Sequence, residues 1–231
     1  MAAIMSAVAF DSPALKRLLR DMAVTLQAHS EEIRELDAKV GDGDLGITVG
    51  LMGNALAEFA ETADEADVGK LLMQCGLAVN RSNPSTFGTL LASGFMAGGK
   101  AVMGKTSVGL ADWVEMGAGA VDGIQNRGKA SVGDKTMLDA LAPAVAELSA
   151  EARKGSDERA AARAAARAAE QGMKATIAMV AKCGRARAFQ ERSVGVQDGG
   201  ATAIFYLVKA FADFVDKESQ STGGRRESPK G

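Results

Sequence analysis

The sequence predicts an all-α fold organised as a single domain. Three observations carry that prediction. Apolar residues recur at i, i+3, i+4 spacing from end to end, the period of a helix that buries one face. Hydrophobic residues make up 47% of the 231, with Ala, Leu and Met prominent and Gly abundant beside them, and only 4% of the chain is aromatic; that composition favours helix over sheet. No linker or fixed-period repeat divides the chain.

The elements follow in order. Ser12-Pro13 reads as a capped helix start, followed by Leu15, Leu18, Leu19, Met22 and Leu26 on one face. His29 and Ser30 mark a break, and Ile33 and Leu36 open a short second helix. Residues 37–46 (DAKVGDGDLG) hold three glycines in six positions and are expected to be irregular. Further helices are expected from Ile47 to Glu61, from Val68 to Val79 behind the cap Asp67, over the small apolar stretch 85–103, from Asp112 to Ile124 and from Lys135 to Ser149. Ser156 should cap an alanine-rich helix through Val180, whose Arg159, Arg163 and Arg167 form a solvated basic stripe. Residues 184–200 read as a loop and Ala201 to Val215 as the last helix, giving roughly eight helices. The domain is expected over 1–215, with a disordered Ser/Gly/Arg-rich tail over 216–231.

Composition removes several classes of function. Lys+Arg 27 against Asp+Glu 29 leaves a formal charge of -2, which gives no argument for a nucleic-acid or membrane partner. No apolar run approaches the roughly 18 to 20 residues of a membrane span, and the N-terminus lacks the pattern of a signal peptide. Cys75 and Cys183 lie far apart and outside any CxxC pattern, so a reducing cytoplasm is expected. A single histidine, His29, rules out His-rich zinc chemistry.

The strongest chemical signal is Asp37-x4-Asp42-Gly43-Asp44-Leu45-Gly46. Three carboxylates within eight residues repel one another unless a cation neutralises them, and hard oxygen donors without nearby Cys or His select Mg²⁺ or Ca²⁺. An EF-hand fails on spacing, because glycine falls at the fifth loop position and Gly53 stands where the terminal glutamate belongs. Gly46-Ile47-Thr48 open a helix beside the cations, and a helix start offers N–H groups to an anion. Together these describe a nucleotide-phosphate site.

Residues 99–106 (GKAVMGKT) satisfy GxxxxGK[ST], but a P-loop needs a preceding β-strand and a following helix. Here residues 89–97 read as helix and residues 107–109 as another turn, so the match is read as chance. Residues 128–139 (GKASVGDKTMLD) form a flexible loop feeding a capped helix. Around residues 184–200, Arg185 and Asp198 flank a glycine-punctuated strip before another helix, and arginine there would suit phosphoryl-transfer chemistry.

In this order, LDxxxGDGDxG (36–46), GDKTMLDAL (133–141) and GRA…ERSxGxxDxGA (184–201) resemble the nucleotide-binding L subunits of dihydroxyacetone kinases, from about Leu15 to Phe214. The resemblance implies an antiparallel barrel of eight helices. It implies ATP or ADP at one rim, with two Mg²⁺ ions held by Asp37, Asp42 and Asp44. Leu45, Gly46, Ile47 and Thr48 would lie along the phosphates with Thr86 and Phe87. Gly128 and Met137 would border the adenine, and Arg185, as the catalytic cation, would close the site with Asp198, Gly199 and Gly200. The implied partners are a ketose-binding K subunit and a phosphotransferase-system phosphocarrier, and the implied assembly a homodimer. Two departures stand out: Leu45 occupies the place of the family's histidine, and residues 83–88 (NPSTFG) replace a GGTSG-like segment. A leucine side chain cannot donate a hydrogen bond to phosphate. The readings in competition are a noncatalytic nucleotide-sensing subunit and, behind it, a P-loop NTPase.

Overall fold

Helices account for most of the chain in the computed structural model, which describes residues 10–82 and 84–223. They are α1 (Ser12–Ala28), α2 (Ser30–Val40), α3 (Asp44–Thr62), α4 (Val68–Ser82), α5 (Thr86–Ala101), α6 (Leu110–Gly128), α7 (Leu138–Lys154), α8 (Glu158–Ala175) and α9 (Gly199–Gly223). Two-residue strands, β1 (Phe10–Asp11) and β2 (Ser107–Val108), pair antiparallel.

Eight of these helices close into a ring. α1 packs on α3, each helix from α3 to α8 packs on its successor, and α9 returns to α1; the short α2 lies outside against α3 and α9. Neighbours run antiparallel, as cross-contacts along α1 and α3 show: Arg20 donates to the Ala60 carbonyl at 3.3 Å and Gln27 to Asn54 at 2.8 Å. The eight-helix barrel implied by the family resemblance is therefore the observed architecture.

Local chemistry accounts for the helix ends. Asp11, not Ser12, caps α1 by accepting the Ala14 N–H at 2.8 Å, while the Ser12 hydroxyl donates to the Glu65 carbonyl. Asp157, not Ser156, caps α8 through the Ala160 N–H at 2.7 Å. Close packing explains much of the glycine. A Cβ on Gly69 or on Gly99 would sit 2.5 Å from the other's carbonyl oxygen, so α4 and α5 touch backbone to backbone. The ring interior is apolar, with Phe10 edge-on to Trp113 at 4.6 Å. Leu18, Phe95, Trp113 and Phe211 border a cavity of about 220 Å³ there.

Two expectations are corrected at α9. The helix continues past Val215 to Gly223, so residues 216–223 are not a disordered tail; residues 224–231 lie outside those described. The extension is ordered by partners remote in sequence: Arg17 with Glu218 at 2.9 Å and Lys217 with Asp21 at 3.0 Å. Nor are Arg159 and Arg163 merely solvated, since both donate to the Asp216 carboxylate at 2.8 Å.

Candidate nucleotide site

Closing the ring gathers alternate helix starts at one end. The first residues of α3, α5, α7 and α9 all border a single cavity of about 490 Å³, and the last turn of α6 completes its wall. Helix N-termini carry partial positive charge, so four converging on one space make it a basin for an anion.

The carboxylate-rich bend sits at the start of α3. Residues 37–40 form the last turn of α2, rather than irregular chain, so Asp37 has a fixed helical position. Its Oδ2 accepts the Leu45 N–H at 3.2 Å. Gly43 has φ +78, a left-handed conformation that favours glycine, and lets the chain enter α3. Gly41 acts by size instead: a Cβ would fall 2.7 Å from Asp37 Oδ1.

Arg185, on the segment between α8 and α9, supplies the counter-charge. Its guanidinium donates to Asp42 Oδ1 and reaches Asp44 Oδ2 at 3.5 Å. The pair therefore already accepts a cation, and its donors are the hard oxygens that Mg²⁺ prefers. Among the described residues, no three His, Cys, Asp or Glu side chains are drawn together as a metal cage.

The structure brings most of the expected residues together. Asp37, Asp44, Leu45, Ile47, Thr48, Thr86, Phe87, Gly128, Met137, Arg185, Asp198 and Gly200 all line the cavity. Asp42 joins through Arg185. Gly46 and Gly199 do not line it, and packing gives the reason. A Cβ on Gly46 would meet Arg34 Cβ at 2.4 Å, and one on Gly199 would meet Leu45 Cδ2 at 2.9 Å, so both glycines face neighbouring side chains. Asn83, from the altered phosphate-side segment, lies outside the described residues. In the same segment the Ser85 hydroxyl caps α5 by accepting the Gly88 N–H at 3.0 Å.

Sequence reasoning assigned no role in the site to Asp139, Lys135 or Cys183, whereas Asp198, described with them here, was expected. Asp139 is buried, and its two oxygens accept N–H groups of Gly133 at 2.5 Å and Thr136 at 2.7 Å, shaping the loop before α7. Lys135 lines the cavity yet is buried, and burial lowers its ammonium pKa against the pull of Asp198. Asp198 caps α9 through the Ala201 N–H at 2.7 Å. Burial, with the charges of Asp139 and Asp37, pushes its pKa up to about 6. Cys183 borders the cavity rather than filling the core, whereas Cys75 is fully buried. The P-loop-like motif lies elsewhere. Its first residues end α5, and Lys105 pairs with Asp112 at the start of α6, the end away from Gly128.

Residues 39–213 match the DAK2 domain. The chain belongs to the DAK2-domain family. Its relatives include the ADP-binding subunit DhaL of the PEP-dependent dihydroxyacetone kinase of Escherichia coli K12. That protein is 32% identical over 183 residues, covering 79% of this chain and 87% of the relative. The DhaL subunit of Listeria innocua PEP-dependent dihydroxyacetone kinase 2 is 31% identical over 218 residues, covering 92% and 99%. A D-erythrulose kinase of Mycolicibacterium smegmatis is 36% identical over 204 residues, which are 86% of this chain but 35% of that enzyme. Among solved structures, the native dihydroxyacetone kinase of C. freundii superimposes with a TM-score of 0.69 at 25% identity, over 86% of this chain and 34% of that one. The DAK2 fold thus occurs both as a separate subunit and as part of a longer enzyme.

Proposed function

We propose that this chain is the nucleotide-binding, phosphoryl-transferring subunit of a keto-sugar kinase acting on dihydroxyacetone or erythrulose. One observation carries the reading: four helix starts, the Asp37/Asp42/Asp44 bend and Arg185 meet at one cavity large enough for a nucleotide.

In this reading the polyphosphate lies along Leu45–Thr48 and Thr86–Phe87, and the adenine between Gly128 and Met137. Two Mg²⁺ ions held by Asp37, Asp42 and Asp44 supply charge neutralisation on the phosphate oxygens. The γ-phosphorus–oxygen bond to ADP breaks as a new bond forms to the sugar hydroxyl, whose proton passes to a base on the ketose-binding subunit. Arg185 turns from the aspartates to the phosphoryl group and stabilises its charge. In the family this chain resembles, the ketose is held through a histidine of the K subunit. A need for that subunit fits the position of His29, which is engaged outside the cavity: it stacks on Tyr206 at 3.6 Å and bonds Glu32 at 3.1 Å. Ile47, 58% exposed, and Leu51, 39% exposed, give the cavity mouth an apolar edge for that subunit. A phosphocarrier would regenerate a resident nucleotide at the same mouth.

A noncatalytic sensing role is the competing reading, favoured by Leu45, which packs on Gly199 and offers the phosphates no side-chain donor. Calorimetry with MgADP tests the site. Replacing both Asp42 and Asp44 with Asn should weaken binding by about 100-fold or more with the helical circular dichroism unchanged, since two charge-assisted contacts are lost. Lys105→Ala should leave binding as it was. Transfer from ATP to dihydroxyacetone or erythrulose in the presence of a K subunit separates kinase from sensor.

A further inference from the structure

Lys135 is a buried cation that the proposed chemistry does not use. It is 2% exposed, and its backbone is left-handed at φ +60, a conformation uncommon for a residue with a side chain. That conformation lets the side chain reach inward. Its Nζ donates to the Ser193 carbonyl at 2.5 Å and to the Met179 carbonyl at 3.1 Å.

These two acceptors bracket residues 180–192, the segment that carries Arg185. Around them the base of the segment is bonded again. The Ala181 N–H donates to the Ser193 hydroxyl at 2.9 Å, the Lys182 N–H to the Asp134 carbonyl at 3.1 Å, and the Gly195 N–H to the Ile177 carbonyl at 2.7 Å. The crown is different in kind: Lys182, Arg185, Arg187 and Arg192 are all exposed. The segment is thus an exposed arch on a buried footing, its two feet joined by the Lys135 ammonium together with the Ala181–Ser193 and Gly195–Ile177 bonds.

We infer that Lys135 is a positioning residue for Arg185: by pinning both feet of the arch it sets where the guanidinium stands relative to the Asp42–Asp44 bend. Removing the ammonium leaves two inward-facing carbonyls without their charged donor, and the cheapest relief is for the feet to part and take up water. The arch then carries Arg185 away from the bend while the helices stay packed. The consequence for nucleotide rests on the function proposed above; the consequence for the arch does not.

Limited trypsin digestion read by mass spectrometry is the direct test, because the arch holds its own cleavage sites. In Lys135→Met, cleavage at Lys182, Arg185, Arg187 and Arg192 should quicken about tenfold, as expected for losing a charged donor. Cleavage elsewhere and the helical circular dichroism should not change. MgADP affinity should fall with the loosening, and Lys135→Arg should recover part of both effects. An unchanged rate at the arch sites overturns the inference, as does a rise spread evenly along the chain. If Lys135→Met does not fold, Lys135→Gln, which keeps N–H donors, carries the same comparison; collapse of both makes Lys135 a residue of the fold and overturns the inference too. Should the wild type take up no MgADP, the proposed function fails, while the digestion pattern still decides the arch.

Discussion

The guanidinium of Arg185 rests on the carboxylate of Asp42, 143 positions earlier in the chain, and the same nitrogen reaches Asp44 at 3.5 Å. The contact links the segment before α9 to the start of α3 across the cavity mouth. On the function proposed above, a metal ion held by these carboxylates would have to compete with the guanidinium for the same oxygens.

Competition makes Arg185→Gln a substitution with effects of opposite sign. With the guanidinium gone, Mn²⁺ alone should bind about two- to fivefold more tightly, the scale of an exposed ion pair removed. Nucleotide should bind less well, because the phosphates lose their cation. Electron paramagnetic resonance of free Mn²⁺ and calorimetry with MgADP measure the two halves; a parallel loss of both would mean that Arg185 supports the bend rather than competing for it.

Asp198 predicts a pH dependence of stability. Its folded-state pKa, about 6, lies above the ordinary carboxylate value of 3.8 because of burial first and then the neighbouring Asp139 and Asp37, opposed by Lys135 and the Ala201 N–H. Ionising it therefore costs more in the folded protein than in the unfolded chain. Its contribution is complete below about pH 4 and is lost as pH rises through about 6. In metal-free protein, Asp198→Asn should be more stable than wild type by about 1–3 kcal/mol at pH 8, with the difference gone at pH 4. Thermal melts at the two pH values check this; an equal gain at both would point to packing instead.

Gly69 separates the scaffold from the site. A Cβ there would lie 2.5 Å from the Gly99 carbonyl and 2.6 Å from Met103 Cα, so Gly69→Ala must push α4 off α5. We expect a cost of about 1–3 kcal/mol, seen as a melting point several degrees lower. This contact lies at the end of the ring away from the cavity, so MgADP affinity measured well below the melting point should hold. Loss of affinity at that temperature would show that the ring transmits strain from end to end.

The acidic bend was legible because its signal is local: carboxylates crowded with glycines within eight residues need a reason wherever they fall. Even there, chemistry was read more easily than geometry. The glycines were read as marking irregular chain, but what Gly41 provides is room for the Asp37 carboxylate. Thr86, Phe87, Gly128 and Met137 carry no such local signal and were reached only through the likeness to a known family, whereas Arg185 was legible as a candidate but not as the partner of Asp42. Lys135 gave no sign at all. A lysine in a glycine-rich loop reads as solvated, and only carbonyls 44 and 58 positions away make it a buried donor. The arginine stripe on α8 does face solvent, but its pairing with Asp216 was not legible, since Asp216 lies 57 positions beyond Arg159.

From the amino-acid order alone came the helical class, most helix faces and the acidic bend, because periodicity, turns and charge crowding act between residues a few positions apart. Tertiary structure decided that α9 returns to α1, that alternate helices begin around one space, and that Arg185 meets Asp42 there. Those relations depend on how a ring of antiparallel helices closes, and closure is a property of side chains brought together from the whole length of the chain.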